Sequence, residues 1–259
     1  MPDSGRYFRL AGDSCGVSRG FSDRTSTPHT GRVENQTRPR SFVTRGRKTE
    51  AQKRALDELW PVYGIDPVGG PLDLDDVFGR SAPRVLEIGF GDGENLITVA
   101  AQYPERDVLG VEVHGAGVGR TLNEARLRGL TNLRVIRRDA VEVVERGLPA
   151  EGFDEVLIFF PDPWPKSRHR RRRLVQPEFA ALLVRVLKPE GVLRLATDWA
   201  DYADHMIEVL DACPGLVNTS GPGGFAPRPQ DRPVTRFERR GERLGHTIRD
   251  LEYRIAARP

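Results

Sequence analysis

The sequence contains little cysteine and no long apolar run, and each absence excludes a class of protein. Its 259 residues include only Cys15 and Cys213, too few for a disulfide framework or a cysteine-based metal cluster. No segment approaches the roughly 18 apolar residues of a membrane-spanning helix, and the N-terminus lacks the apolar core of a secretory signal. We therefore expect a protein of the reducing cytoplasm, with no membrane anchor and no metal site.

An excess of charge is also absent from most of the chain. The formal net charge is +3, and residues 1–40 alone carry seven arginines against four acidic residues. The remaining residues, 41–259, hold 33 basic and 33 acidic side chains, so a polyanion-binding surface there requires local clustering. Residues 1–40 lack apolar periodicity, which predicts a disordered basic tail ahead of a single domain at 41–259.

From residue 84 onward, short apolar runs alternate with helical patterns. The runs that we interpret as strands span residues 84–89, 107–113, 133–136, 154–160 and 192–196. Helical spacing of apolar residues occurs at 48–59, 95–103, 116–128, 141–146 and 175–187, and a terminal strand is expected at 246–255. The alternation predicts an α/β fold with a doubly wound, mostly parallel sheet, which binds ligands at the carboxyl ends of its strands.

The first of these strand ends carries an acidic, glycine-rich turn, EIGFGDG, at residues 87–93. Gly89, Gly91 and Gly93 allow the backbone to pass close to a ligand at a helix N-terminus. Their G-x-G-x-G spacing differs from the dinucleotide fingerprint G-x-G-x-x-G, which disfavours a nicotinamide-dependent oxidoreductase. Glu87 would repel a pyrophosphate but attract an ammonium, such as that of a methionine group. A tight turn without a ligand is the alternative.

Two further carboxylates follow the next two predicted strands. Glu112 lies 23 residues after Gly89, where an acidic side chain can accept hydrogen bonds from both ribose hydroxyls of an adenosine. Asp139 follows the third strand and could reach the adenine amino group. Either acid alone could be a surface residue or a helix cap. Acids at three successive strand ends favour a site for S-adenosylmethionine.

The fourth predicted strand leads into the segment FFPDPWPK at residues 159–166. Its alternating prolines stiffen the backbone around Asp162 and remove N–H donors, and Trp164 has a flat face that can stack on a base. A basic run follows directly, consisting of Lys166, Arg168, His169, Arg170, Arg171, Arg172 and Arg173. This combination favours a nucleic acid over a small substrate. The alternative is a core tryptophan, a capping aspartate and a solvated charge run.

Two later segments are less specific. Asp198, in the string ATDW, follows the fifth predicted strand at the same edge of the sheet, although capping of the next helix explains it equally well. Residues 232–241 combine a proline, a hydroxyl, an acid and several arginines. We interpret them as an irregular stretch that by itself indicates no function.

Six strings taken together resemble one enzyme family. They occur in the order LEIGFGDGEN, GVEVH, RDAVEV, FFPDPWPKSRHRRRRL, ATDW and RPVTRFERRGERLGH, and they resemble the tRNA (guanine-N7-)-methyltransferases of the TrmB type. The resemblance covers about residues 41–254, and PDPWPK-x-RH followed by arginines is highly specific. It implies a Rossmann-like class I S-adenosylmethionine-dependent methyltransferase fold with an antiparallel C-terminal edge strand. It also implies methylation at N7 of the variable-loop guanosine, position 46, of tRNA.

The resemblance further implies roles for individual residues. Glu87, Glu112 and Asp139, with the glycines of the turn, would bind S-adenosylmethionine, and Asp162 would be catalytic and border the cofactor. Contacts to the substrate would come from Lys166, Asp198, Thr235, Arg236, Phe237 and Glu238. Contacts to RNA would come from Arg168, His169, Arg170, Arg171, Arg172 and Arg173. The implied partner is tRNA, and the sequence leaves the oligomeric state, monomer or homodimer, open.

The chemistry of guanine N7 requires little of a catalytic residue. N7 carries an in-plane lone pair and no proton at neutral pH, so no general base is needed before attack. The hypothesis is that Asp162 positions the guanine and stabilises its developing positive charge. A methyltransferase acting on another RNA site and a non-catalytic RNA-binding protein are the alternatives.

Overall fold

The structure is a computed structural model that describes residues 48–256, so the tail expected at 1–40 lies outside the described residues. Its strands are β1 (Gly64–Ile65), β2 (Arg84–Ile88), β3 (Asp107–Val111), β4 (Leu133–Ile136), β5 (Phe153–Phe159), β6 (Leu187–Thr197), β7 (Leu216–Asn218) and β8 (Arg249–Ile255). Its α-helices are α1 (Glu50–Glu58), α2 (Trp60–Tyr63), α3 (Leu74–Phe78), α4 (Glu94–Gln102), α5 (Gly115–Leu127), α6 (Ala140–Glu142), α7 (Pro177–Val186), α8 (Ala200–Asp211) and α9 (Arg236–Arg243). A π-helical turn, Val143–Gly147, and a 3₁₀ helix, Ser167–Arg172, complete the set.

All eight strands form one sheet in the order β1-β4-β3-β2-β5-β6-β8-β7. The pairs from β1 to β6 are parallel, whereas β8 runs antiparallel to both β6 and β7. The predicted doubly wound sheet with an antiparallel C-terminal edge is therefore confirmed, with the three-residue β7 outside the C-terminal strand β8 at that edge. From β2 the chain builds outward to β3 and β4 on one side, then returns to add β5 and β6 on the other. The crevice at this reversal is where such sheets bind ligands.

Apolar side chains cover both faces of the sheet. Every residue of β3 is buried. Its successive residues Val108 and Leu109 belong to two different core clusters. Because neighbouring side chains of a strand point to opposite faces, the two clusters lie on opposite sides of the sheet. This double burial explains why the strands read as nearly continuous apolar runs.

The structure differs from the sequence-based expectation at several elements. The stretch 232–241, interpreted as irregular, instead contains most of α9, which begins after Thr235, whose Oγ1 accepts a hydrogen bond from the Glu238 N–H at 3.3 Å. That interpretation was wrong because α9 is polar almost throughout and shows no apolar period. Strands β1 and β7 have two and three residues, too few to show alternation. The helix expected at 48–59 is followed by a further short helix, α2, with Pro61 in its first turn.

Two negative findings apply to residues 48–256. No helix in this range is both long and apolar enough to cross a membrane. The same residues contain no group of three or more His, Cys, Asp or Glu side chains that could hold a metal ion.

Candidate active site

A cavity of about 250 Å³ opens at the carboxyl ends of β2, β3 and β5. Glu87 and the glycine turn form one part of its wall, and Glu112 forms another. Asp162 and Trp164 line it from the segment that follows β5. The cavity thus lies at the carboxyl ends of the strands, as the strand pattern predicted, and the strand order places it at the reversal point of the sheet.

The glycine turn depends on backbone conformations that other residues rarely adopt. Gly89, Gly91 and Gly93 have φ angles of +73°, +57° and +80°. A Cβ on Gly93 would lie 2.2 Å from the Thr121 Oγ1, so space as well as conformation requires glycine there. A Cβ on Gly89 would meet nothing within 4 Å, so this side of the turn is open. The turn therefore presents bare backbone to the cavity.

Glu87 is the next-to-last residue of β2 and a buried carboxylate, only 3% exposed. The Asn95 Nδ2 donates a hydrogen bond to Glu87 Oε2 at 3.0 Å. Burial raises the pKa of Glu87 to about 7, with a smaller increase from Glu112 and an opposing effect of Asn95. The group therefore favours a cationic ligand. Sequence reasoning missed Asn95. Its position in the first turn of α4 could have indicated it, because the start of that helix lies beside the carboxyl end of β2.

Glu112 ties the end of β3 to the glycine turn. Its Oε2 accepts a hydrogen bond from the Gly91 N–H at 2.9 Å, and its Oε1 accepts from Val113 and His114 at 2.6 and 2.9 Å. A carboxylate has about four lone-pair sites, so these three bonds leave room for one more donor. Glu112 thus has a structural role beside any role in binding.

Asp139 caps α6, as expected from the alternative interpretation of this residue as a helix cap. Its Oδ1 accepts hydrogen bonds from the backbone N–H groups of Val141 and Glu142 at 3.0 and 3.3 Å. The residues on either side of it, Arg138 and Ala140, line the cavity. Asp139 therefore lies at the rim of the cavity, between two residues that line it. Binding of adenine by Asp139 stays a prediction.

The segment after β5 is held in a strained conformation on both sides of Asp162. Phe160 and Trp164 have φ angles of +51° and +43°, two of the four positive values at non-glycine residues in the described chain. Such conformations cost about 1–3 kcal/mol each and concentrate at functional sites. Asp162 is exposed and Trp164 is half-buried at the cavity wall, so neither belongs to the core.

The basic run forms the 3₁₀ helix and packs around Trp164. The guanidinium carbon of Arg172 lies 5.0 Å from the Trp164 ring centroid, and the His169 ring meets the indole edge-on at 5.8 Å. Arg172 also lines the cavity. Partial desolvation, and then the neighbouring cations, lower the pKa of His169. Lys166, Arg168 and Arg171 are exposed.

Arg173 differs from the rest of the run because its side chain is fully buried. Its Nε donates to the Pro163 carbonyl at 2.9 Å, its guanidinium pairs with the Asp201 carboxylate, and it lies over the Tyr202 ring at 4.8 Å. Arg173 thus fastens the 3₁₀ helix to α8. This position argues against the expected contact between Arg173 and RNA.

Asp198 lies outside the cavity lining and pairs with His246, whose Nδ1 is 2.9 Å from Asp198 Oδ2. A Cβ on Gly241 would lie 2.9 Å from the same oxygen, so α9 packs closely against Asp198. The capping alternative is wrong, because Trp199 occupies the N-cap of α8 and makes no side-chain cap. Substrate contact by Asp198 stays a prediction.

The segment 235–238 divides into cavity-lining and buried residues. Thr235, Arg236 and Phe237 line the cavity. Glu238 is only 1% exposed and accepts hydrogen bonds from Arg228 Nε at 2.8 Å and from Arg232 at 2.7 Å. Burial alone would raise the pKa of Glu238, but the two arginines outweigh it and lower the pKa. Glu238 therefore anchors α9 from beneath.

The start of α9 is also fastened to the glycine turn. The Arg236 N–H donates to Glu94 Oε2 at 2.6 Å, and Arg236 forms an ion pair with Asp92 at 2.9 Å. Arg239 pairs with Glu94 at 3.1 Å. Sequence reasoning missed Asp92 and Glu94 as partners, because nothing local links them to residues more than 140 positions away.

Comparisons with known proteins show which family the chain resembles. A protein-family model described as "Putative methyltransferase" matches residues 81–251. A tRNA (guanine-N(7)-)-methyltransferase of Leifsonia xyli subsp. xyli is 67% identical over 217 residues, covering 84% of this chain and 96% of that protein. One of Halorhodospira halophila is 57% identical over 218 residues, covering 83% and 94%.

Among solved structures, the 16S rRNA methyltransferase KamB has the same fold. It aligns with a TM-score of 0.54 at 20% identity and covers 75% of this chain and 98% of that one. The identity is too low to carry more than the fold. The near relatives confirm the family that the six sequence strings indicated. The chain therefore belongs to the tRNA (guanine-N(7)-)-methyltransferase family.

Proposed function

We propose that the protein transfers the methyl group of S-adenosylmethionine to N7 of the variable-loop guanosine, position 46, of tRNA. One observation carries the proposal: Asp162 and Trp164 share a single cavity with Glu87 and Glu112. The cavity thus combines two carboxylates suited to a cofactor, Glu87 and Glu112, with two side chains suited to a base, Asp162 and Trp164. The names of the relatives support the same reaction and substrate.

The residues present fit the cofactor. Glu87 is a buried carboxylate with a raised pKa, and an ammonium beside it would stabilise its ionised form. Glu112 retains room for a ribose hydroxyl, and the open side of Gly89 allows close approach to the backbone. Asp139 would lie on the adenine side. S-adenosylmethionine, when bound, supplies a methyl group on a sulfonium.

Asp162 acts by charge and position. Because N7 has an available lone pair and no proton, the carboxylate is needed neither as a base nor as a nucleophile. It orients the guanine and stabilises the positive charge that develops on the purine. Trp164 stacks on the base or its neighbour, and Lys166 holds O6 or a nearby phosphate. A base within folded tRNA must be splayed out to enter the cavity.

The first test identifies the reaction. Purified protein is incubated with labelled S-adenosylmethionine and unmodified tRNA, and the label is mapped by cleavage at 7-methylguanosine. We expect label at position 46. Label at another site supports a different RNA methyltransferase, and tRNA binding without methylation or cofactor binding supports a non-catalytic RNA-binding protein. Either result overturns the proposal.

The second test isolates Asp162. Asp162→Asn keeps the shape of the side chain and removes its charge, so the single-turnover rate with bound tRNA should fall about 100-fold or more. Asp76→Asn is the matched control, since Asp76 is exposed on α3, which precedes β2. A full rate in Asp162→Asn would show that the electrostatic role is wrong.

A further inference from the structure

The helix α9 presents a face that consists mainly of arginine. Arg236, Arg239, Arg240 and Arg243 are all exposed. At roughly 100° per residue, these four positions fall within a sector of about 100° around the helix axis. The single exposed carboxylate on this helix is Glu242, which lies about 60° outside the sector by the same geometry. Asp92 and Glu94 pair with Arg236 and Arg239, so the net positive charge of the face comes from Arg240 and Arg243. It stands out in a part of the chain that has no excess overall.

The opposite side of the helix is fixed to the protein. Glu238 is buried beneath Arg228 and Arg232, and Gly241 packs against Asp198. Arg232 also pairs with Asp250 on β8 at 3.1 Å. Because these contacts set the rotation of the helix, the arginine face is held outward. It is a fixed surface on a packed helix.

The arginine face adjoins the mouth of the cavity. Arg236 and Phe237, at the start of α9, line the cavity next to the glycine turn. Arg172 and Trp164 line it from the segment after β5. Two basic elements, the 3₁₀ helix and α9, therefore border the same opening. An RNA strand that places one base in the cavity would extend along both.

We propose that the arginine face of α9 is a second RNA-binding surface, which holds phosphates of the substrate tRNA on the glycine-turn side of the cavity. The proposal rests on the proposed function, since it takes the same cavity as the site of the target base. Arginine suits this role because its planar fork binds phosphate oxygens in pairs. Arg240 and Arg243 carry most of the contact, because Arg236 and Arg239 already pair with Asp92 and Glu94.

The test compares two double variants in tRNA binding at several salt concentrations. Arg240→Gln with Arg243→Gln removes two charges from the face and leaves the fastening pairs intact. The control, Arg126→Gln with Arg146→Gln, removes two exposed arginines at the far ends of the helical segments that follow β3 and β4. Cofactor affinity without RNA and the thermal midpoint check that each variant is folded.

We expect the Kd for tRNA to rise about tenfold at 0.1 M salt in the α9 variant, and the slope of log K against log salt to fall by about one per arginine. The control should match the wild type. If the double variant does not fold, each single variant should show about half of the slope change. An α9 variant that binds tRNA like the control overturns the proposal.

The outcome also separates this proposal from the proposed function. A wild-type protein that binds tRNA with a slope dependent on Arg240 and Arg243, yet methylates no tRNA, supports the surface and contradicts the function. Normal methylation at position 46 with an unchanged slope in the variant contradicts the surface alone. A wild-type protein that does not bind tRNA contradicts both.

Discussion

Glu87 is a carboxylate whose burial disfavours its ionised form. Its carboxylate lies within the sheet edge beside Glu112, and burial raises its pKa from the ordinary 4.5 to about 7. In the ligand-free protein the group therefore binds a proton at a pH at which the unfolded chain has released it. The folded state loses stability as pH rises from about 4.5 through 7, because ionisation of a buried carboxylate is unfavourable.

Replacement of Glu87 by glutamine should remove this dependence on pH. We expect Glu87→Gln to match the wild type near pH 4.5 and to exceed its free energy of unfolding by up to about 3 kcal/mol at pH 8. Urea unfolding without cofactor at both pH values measures the difference. Glu208→Gln, at an exposed position of α8, is the control. Parallel pH curves for wild type and Glu87→Gln would contradict the prediction.

Substitution of Arg173 and of Arg171 compares a buried arginine of the basic run with an exposed one. Arg173→Ala should lower the free energy of unfolding by about 2–3 kcal/mol, because it removes a buried guanidinium and leaves the Pro163 carbonyl without its donor. Asp201 loses one of its two arginine partners and keeps Arg170. This loss of stability is smaller than for a fully buried pair because the Asp201 side chain is 41% exposed. Urea unfolding measures the change.

Arg171→Ala should show the opposite behaviour. Its stability should stay within about 0.5 kcal/mol of wild type, since the side chain is exposed. The salt slope of its tRNA binding should fall by about one, as expected for one lost phosphate contact. Equal destabilisation by both substitutions would show that burial does not distinguish the two arginines.

At the scale of elements, α9 borders the cavity and is attached to the protein by its buried side and by its N-terminal end. Its buried side rests on the pairs of Glu238 with Arg228 and Arg232, and its start is joined to α4 through Glu94. The contacts between the start of α9 and Glu94 are partly exposed and individually weak. The helix should therefore stay folded when they are removed but should move more relative to the glycine turn.

Arg239→Gln tests this attachment. The Arg239 guanidinium donates to the Val234 carbonyl at 2.6 Å and pairs with Glu94 at 3.1 Å. We expect amide hydrogen exchange in residues 235–243 to quicken about two- to fivefold, and cofactor affinity to weaken by a similar factor. Arg128→Gln, which removes the exposed Arg128–Glu124 pair on α5, is the control. Equal exchange in both variants would contradict the attachment.

At the scale of the whole molecule, the cavity is assembled from distant parts of the chain. Its walls come from the ends of β2, β3 and β5 together with α9, so a ligand there contacts both halves of the sheet. Such a ligand binds the folded state alone and shifts the unfolding equilibrium toward it.

S-adenosylmethionine at about 100 times its Kd should raise the free energy of unfolding by about 2.7 kcal/mol. That gain corresponds to an increase of about 5–10 °C in Tm for a chain of this size. Differential scanning calorimetry measures it, with NAD at the same concentration as the control. A shift with NAD, or none with S-adenosylmethionine, would contradict the cofactor assignment.

The sequence predicted the sheet and much of the cavity because both depend on local patterns. Strands buried on both faces read as apolar runs, and the residues at or just after the end of each run must lie at the carboxyl edge of a parallel sheet. Glu87, Glu112 and Asp162 were found in this way, and all three line the cavity.

Only the tertiary structure decided the other features, because they depend on contacts between residues far apart in the chain. In a run of similar arginines, Arg173 is buried since Asp201 and Tyr202 of α8 meet it there. The polar helix α9 forms over the glycine turn since Glu238 is neutralised from beneath by Arg228 and Arg232. The sequence by itself thus determined which strand ends carry the chemistry, through periodicity and the regular geometry of parallel strands. The tertiary structure determined which charged side chains are buried as anchors and which face outward, because desolvation and pairing depend on what the folded chain places beside each one.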